Sequence, residues 1–413
     1  MTEIVSPGGS YTKAITAIKN GADAVYLGVP FTSLRMRQNK VKTFDEVKKT
    51  IKDVQSFGKK AYLTMNIFPR NKDIQLFESM VEKISNLGAD AIIFSDPGTF
   101  NIIRKYNKDI PLHLSTQTNI LNKEAVKFWY DLGVKRIVLA RELNIKEIKE
   151  IKEYVPDIEL EVFVHGAMCM TYSGRCLLGE YFSGRDGNKG ECSHVCRYKF
   201  NVYVEEEKRP GKFMKIEENG DGSHLFSSKD LCTIEKLGEI LPFVDGLKIE
   251  GRSKSEWYSG STARAYSHVR DCILQGKEID LNIKNLVYDI PHRQYWDGFI
   301  FNNIKDAPDG ESFENIKSIS HDNPGPIKTK TYYGLTYDKS IEKNGKIYYK
   351  FVSKQDIFPG DELNFLGKEG ICKTKVIEIL SASEDILSKA DCNKEYFYIS
   401  FDKKMEGYET FFK

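Results

Sequence analysis

Along the first 250 positions, short apolar runs rich in β-branched residues alternate with polar stretches in which apolar residues return every three or four positions. The first pattern predicts buried strands and the second amphipathic helices, and their alternation predicts βα units around a parallel sheet. Eight strands are expected, over residues 3–6, 23–28, 61–66, 91–95, 112–117, 136–140, 159–165 and 246–250. A short unit repeats before three of them: Gly21-Ala22-Asp23, Gly88-Ala89-Asp90 and Gly133-Val134-Lys135 each place a glycine between a helix and the next strand. Such a glycine suits the left-handed position that ends a helix. The leading fold is a (β/α)8 barrel of the TIM type, with an open doubly wound sheet as the alternative; in either, ligands gather at the C-terminal strand ends.

The residues expected at those ends are polar: Tyr26, Asn66, Ser95, Asp96, Gln117, Arg141, Glu142, His165, Glu250 and Arg252. Any one of them could simply cap a helix or bond a loop. Together on one rim they predict a site for a polar, anionic small molecule, because arginine grips carboxylates bidentately. Arg35, Arg37 and Arg175 are further candidates for that anion. His165 is the leading proton-transfer candidate, since an unperturbed imidazole titrates near neutrality, and Glu250 is the second.

The connection between the seventh and eighth strands is about 80 residues long and leaves from a C-terminal strand end, so it should lie over the barrel mouth. It holds five of the eight cysteines, four of them as Cys169, Cys176, Cys192 and Cys196 in a C-x6-C-x15-C-x3-C pattern. Zinc sites favour tighter paired knuckles, and four irregularly spaced thiolates suit an iron–sulfur cluster at least as well. Structural zinc is the alternative, with His194 inside the last loop as a substitute ligand. Cys232 competes with Cys196 as the fourth ligand, although Ser227-Ser228-Lys229-Asp230 before it reads as a capped helix start. Cys272, Cys372 and Cys392 read as ordinary packed residues.

Composition narrows the class. The 413 residues carry 61 Lys+Arg against 59 Asp+Glu, a balance that excludes a globally basic nucleic-acid coat and leaves room for a local basic face. No basic segment followed by an apolar stretch opens the chain, no run of about 18 apolar residues occurs, and a cytoplasmic protein with no membrane partner is expected.

The string from Glu159 to Cys196, with Leu225-Phe226-Ser227-Ser228-Lys229-Asp230-Leu231 and Leu247-Lys248-Ile249-Glu250-Gly251-Arg252, resembles the collagenase-like peptidase family U-32. Within it the chain looks most like the members that hydroxylate tRNA to 5-hydroxyuridine. The resemblance extends over Pro291-His292-Arg293-Gln294-Tyr295-Trp296-Asp297-Gly298-Phe299 and a C-terminal β-domain. It implies a [4Fe-4S] cluster on the four cysteines, O2-independent hydroxylation of a wobble uridine in the tRNA anticodon loop, and prephenate or a similar dicarboxylate as oxygen donor. It also implies a shorter paralogous partner subunit or a homodimer. The family equally contains proteins labelled proteases. Yet neither an H-E-x-x-H helix nor a G-x-S-x-G elbow occurs here, and a thiolate bound to iron is not a nucleophile. A third reading is an RNA-binding subunit whose cluster or zinc serves a catalytic partner.

The resulting layout is a barrel over 1–280 with the cysteine insertion at 166–240, a linker over 281–326 that wraps the barrel, and a small antiparallel β-barrel over 327–413. The aromatic patch Tyr295, Trp296 and Phe299 is expected to dock on the barrel rather than to stack a base. The last segment resembles the β-barrels appended to translation factors and has 15 Lys and 14 Asp+Glu, so an RNA contact there needs a face rather than an overall charge.

Overall fold

The computed structural model describes residues 1–33, 43–169, 171–192, 194–198, 202–205, 210–211, 213–216, 229–302, 327–368, 370–392 and 394–413. Strands β1 (Glu3–Gly8), β2 (Ala24–Gly28), β3 (Lys60–Met65), β4 (Ala91–Phe94), β5 (Leu112–Leu114), β6 (Arg136–Val138) and β7 (Glu159–Ala167) each pair in parallel with the next. A short antiparallel hairpin, β8 (Val202–Glu205) and β9 (Phe213–Ile216), and a three-residue strand, β10 (Asp230–Cys232), lie in the long connection. Strand β11 (Gly246–Ile249) then pairs in parallel with both β7 and β1 and closes an eight-stranded barrel. All eight expected strands are present. The fifth is shorter than expected because the Ser115 side chain accepts from the Gln117 N–H and turns Thr116–Thr118 into a 3-10 helix.

Helices α1 (Tyr11–Lys19), α2 (Phe44–Ser56), α3 (Ile74–Ile84), α4 (Pro97–Tyr106), α5 (Lys123–Asp131) and α6 (Ile145–Tyr154) ring the barrel. Five of the six begin at a side-chain cap: Ser10, Thr43, Asp96, Asn122 and Asn144 each accept from a backbone N–H in the first turn. Gly21, Gly88 and Gly133 have φ of +98°, +79° and +83°, the left-handed values their repeat predicts. At Gly21 a Cβ would also lie 2.3 Å from Ser267 Oγ, so only glycine admits the helix that follows β11, α9 (Glu256–Gln275), at that distance. Leucine, isoleucine and valine side chains from strands and helices form one core between the two layers.

The barrel's N-terminal end is filled differently. Arg136 lies 2.8 Å from Glu3, 2.7 Å from Glu159 and 3.1 Å from Glu161, and Lys248 lies 2.5 Å from Glu161. Tyr62 donates to Glu3 at 2.7 Å. Charges this deep persist only when paired, and here every carboxylate meets a cation.

One expectation is corrected by this arrangement. The helix start read before Cys232 is instead β10, which pairs antiparallel with Ala167, Gly166 and His165 of β7. Strand β7 runs past the point where β11 leaves it, and that exposed edge recruits a strand whatever the local cap signal. Ser227 and Ser228 themselves lie outside the described residues.

The segment after α9 adds β12 (Tyr295–Trp296), parallel to β10, and Trp296 and Phe299 pack on Val138, Phe163, Met168 and Leu231. The patch therefore docks on the barrel wall. Beyond it, β13 (Tyr332–Lys343), β14 (Lys346–Ser353), β15 (Glu362–Gly367), β16 (Gly370–Leu380), β17 (Ile386–Leu387), β18 (Phe397–Phe401) and β19 (Thr410–Phe412) form an antiparallel sheet. All but β17 close into a six-stranded barrel through the β15–β16 pairing. Trp257 of α9, fully buried, stacks on Tyr332 and Phe412, with ring centroids at 6.0 and 5.5 Å, and so joins the two barrels.

Candidate functional site

A cavity of about 1400 Å3, including its open mouth, sits at the C-terminal end of the parallel barrel. Inward side chains Tyr26, Ile93, Val138, Phe163 and Lys248 face it from the strands, and Asn66, Gln117, Arg141, Glu250 and Arg252 from the strand ends. The other wall comes from the insertion and includes Cys169, Cys176, Cys192 and Cys196. Tyr26, Asn66, Gln117, Arg141, Glu250 and Arg252 of the ten predicted rim residues therefore meet the four predicted ligands in one space.

The cations are held firmly. Arg252 donates to Ser33 Oγ at 2.8 Å and to Thr64 Oγ1 at 3.3 Å, and its own carbonyl accepts from Lys13. Arg141 donates through Nη1 to the Ala167 carbonyl at 2.7 Å and lies 3.9 Å from the centre of the Phe163 ring. Its Nε is buried and has no hydrogen-bond partner among the described residues, so a donor remains for a ligand. Lys248 approaches the Tyr26 ring at 4.4 Å. Burial lowers its pKa against the pull of Glu161. Asn66 donates to Ser115 Oγ at 3.3 Å. Glu250 is buried and is the single carboxylate among the described residues that border the cavity.

The cysteine loops are tied to strand ends one by one. Glu142, just after β6, accepts from the Ser173 N–H at 2.9 Å. Gly174, at φ +72°, comes so close to the 3-10 turn after β5 that a Cβ would lie 1.9 Å from the Gln117 carbonyl oxygen. Asn188 donates to the Cys176 carbonyl at 3.3 Å while its own carbonyl accepts from the Phe68 N–H at 3.2 Å, and Lys189 pairs with Asp73 at 2.7 Å.

The donor set can be weighed for a metal. Tetrahedral zinc at 2.3 Å places its thiolates about 3.8 Å apart. Among the described residues only Asp356, Asp391 and Cys392, on the C-terminal barrel, gather three such ligand atoms within 4.8 Å. The cavity cysteines are spread more widely. Four separate thiols around an open space fit a cluster with four points of attachment better than a single ion.

Three predicted residues lie elsewhere. His165 does not border the cavity. Lys248 pairs with Phe163 and Ile249 with His165, so β7 carries one extra residue at Val164 and the bulge turns His165 to the outer face. There its Nδ1 is 3.4 Å from the Tyr266 hydroxyl and its Nε2 3.4 Å from that of Tyr295. Burial pushes its pKa down to about 3, which keeps the ring neutral at pH 7. Cys232 is behind the same wall, 3.7 Å from the Tyr266 hydroxyl, and burial pushes its thiol up to about 11. Cys196, not Cys232, shares the cavity with the other three cysteines. Arg175 is exposed and does not border the cavity, and Arg35 and Arg37 lie outside the described residues.

Sequence reasoning passed over Lys248. The signal was present, since alternation along β11 puts Lys248 on the face of Glu250, but a lysine within an apolar run reads as an edge residue until its partner Glu161 is known.

Residues 9–308 match Peptidase family U32. The chain is 36% identical over 356 residues to tRNA hydroxylation protein P of Escherichia coli (strain K12), covering 77% of this chain and 78% of that protein. It is 43% identical over 266 residues to tRNA hydroxylation protein P of Helicobacter pylori (strain J99), covering 64% and 63%. A collagenase of Porphyromonas gingivalis is 31% identical over 311 residues, covering 72% and 73%.

Proposed function

The chain belongs to peptidase family U32, and from that premise we propose that it is an RNA-modifying enzyme that hydroxylates tRNA, forming 5-hydroxyuridine at the wobble position. One observation carries the reading: four thiols and three cations, Arg141, Lys248 and Arg252, face the same cavity. The similarity to proteins named for tRNA hydroxylation supports it.

Cys169, Cys176, Cys192 and Cys196 would hold a [4Fe-4S] cluster. When bound it supplies one-electron transfer at the cavity, chemistry that no side chain provides. Arg141, Arg252 and Lys248 bind the carboxylates of the oxygen donor, prephenate or a similar dicarboxylate, with Arg141 offering its buried Nε. Asn66 and Gln117 present amides to the uracil edge, and a base from a single-stranded loop can be turned out of its stack to reach them. Replacing the hydrogen at C5 by hydroxyl is a two-electron oxidation: the proton that leaves C5 would pass to Glu250, and the electron pair of the broken C–O bond stays with the oxygen donor, which is reduced.

Proteolysis fits less well. A cysteine protease needs a free thiol beside a histidine: His165 is on the outer face of β7, and His194, which does border the cavity, lies among four cysteines that would be iron ligands rather than free nucleophiles.

Nucleoside analysis of tRNA from a deletion strain tests the proposal: 5-hydroxyuridine and its derivatives should vanish and return on complementation. Unchanged nucleosides would remove tRNA as substrate. Anaerobic purification should yield iron and sulfide, both lost in Cys176→Ala, and zinc without iron would remove the cluster.

A further inference from the structure

The insertion has an outer surface that the cavity chemistry does not use. Helix α7 (Leu178–Ser183) turns Leu178 and Gly179 toward the cavity. Its other side leaves apolar groups in water: Leu177 is 67% exposed, Tyr181 85% and Phe182 55%, and Tyr172, which also borders the cavity, is 54% exposed. Leu177 and Tyr181 are one turn apart, joined by the Tyr181 N–H to Leu177 carbonyl bond, so they share a face, and the Tyr181 and Phe182 rings meet edge to face at 5.4 Å. Four large apolar side chains exposed together within eleven residues are unusual on a surface with no role.

Charge and position together select the occupant. Two acids beside α7 share one cation: Arg70 lies 3.5 Å from Glu180 and 3.7 Å from Asp186. The guanidinium groups of Arg175 and Arg185, by contrast, are exposed and form no ion pair with any described residue. Exposed rings with arginines within three residues of them in sequence that form no ion pair with any described residue, and with Tyr172 at the border of the cavity, match single-stranded nucleic acid, whose bases stack on aromatic faces and whose phosphates pair with arginine. Rings and arginines also suit protein interfaces, so the choice of RNA rests on Tyr172, which carries this surface to the border of the cavity that would take the target base.

We propose that Tyr172, Leu177, Tyr181 and Phe182, flanked by Arg175 and Arg185, form a platform on which the unpaired nucleotides next to the target base stack while that base occupies the cavity. The inference rests on the RNA-hydroxylase reading and deepens it, because it assigns recognition of the loop to the insertion. It also gives exposed Arg175 a place in RNA binding outside the cavity.

The test uses the full-length holoenzyme with unmodified tRNA and with a 17-nucleotide anticodon stem-loop. A base stacked on an aromatic ring contributes about ten-fold in affinity. Tyr181→Ala with Phe182→Ala should therefore weaken tRNA binding by at least ten-fold and raise KM by a similar factor, while kcat at saturating tRNA and iron content stay at wild-type values. Tyr181→Trp should keep binding. Arg185→Ala should weaken binding and lower the salt dependence of Kd. Wild-type tRNA affinity in the double variant would overturn the platform while leaving hydroxylation intact. A wild-type enzyme that neither binds nor hydroxylates tRNA would instead overturn the reading beneath it, and apolar peptide binding abolished by Tyr181→Ala would assign the surface to a protein.

Discussion

At His165 the imidazole lies among three tyrosine rings, those of Tyr258, Tyr266 and Tyr295, at centroid distances of 5.7, 5.5 and 5.3 Å. With a folded pKa near 3 and an unfolded value of about 6.5, both states are neutral above pH 6.5 and the residue has no pH effect there. As pH falls below 6.5 the unfolded chain takes up the proton first, so stability is lost by up to about 1.4 kcal/mol per pH unit until the folded ring titrates. His165→Phe should flatten this acid limb, read from urea midpoints between pH 7 and 4, and should retain activity within a few-fold. A catalytic proton shuttle would instead cost about 100-fold or more. Lys248 has the opposite position, inward and toward the ligand. Lys248→Met leaves Glu161 still paired with Arg136 at 3.1 Å, so the stability cost stays below the roughly 3–5 kcal/mol of a stranded buried charge. Binding is what should fail: thermal protection of the enzyme by a dicarboxylate is expected to disappear in this variant.

The elements that decide the site are short and irregular. The one-residue bulge in β7 lets Phe163 face the cavity and His165 face away from it, and β10 covers the edge that the bulged strand leaves open. The insertion depends on its stitches more than on its own core. Gly174 is the tightest of them: alanine there meets both a left-handed φ, costing about 1–2 kcal/mol, and the Gln117 carbonyl oxygen. Gly174→Ala should therefore lift the loop between Cys169 and Cys176 from the strand end. Iron content per chain and hydroxylation are expected to fall together, while the far-UV circular dichroism melt of the barrel is kept. Full iron loading in that variant would show that the loop docks independently of the turn at Gln117.

Across the whole molecule, the two barrels meet at α9. Trp257 is fully buried between Tyr332 and Phe412, Lys19 donates to the carbonyls of Glu406 and Gly407 at 2.9 and 2.8 Å, and Arg264 donates to Gly367 at 2.9 Å. Trp257→Ala should cost about 3–5 kcal/mol, as for other buried aromatics. Because the six-stranded barrel has a core of its own, around Phe351, Ile379, Ile399 and Phe411, the loss should appear in calorimetry as two transitions where the wild type has one. A single transition moved to lower temperature would mean that the smaller barrel cannot fold without the larger. No helix among the described residues is long and apolar enough to cross a membrane.

Period-two alternation, glycine at helix ends and side-chain caps are local, and they determined the eight strands and the C-terminal antiparallel domain from the sequence alone, and made a closed barrel the leading fold over an open doubly wound sheet. The clustering of four cysteines on a connection that leaves a strand end likewise placed them at the mouth, since covalent connectivity bounds how far they can lie from it. Three things waited for the tertiary structure. The bulge at Val164 reversed the facing of His165, because alternation carries no record of an inserted residue until the partner strand sets the register. The edge of β7 overrode the cap signal before Cys232. Lys248 became a cavity residue only once Glu161, 87 positions away, supplied the charge that lets an ammonium stay buried.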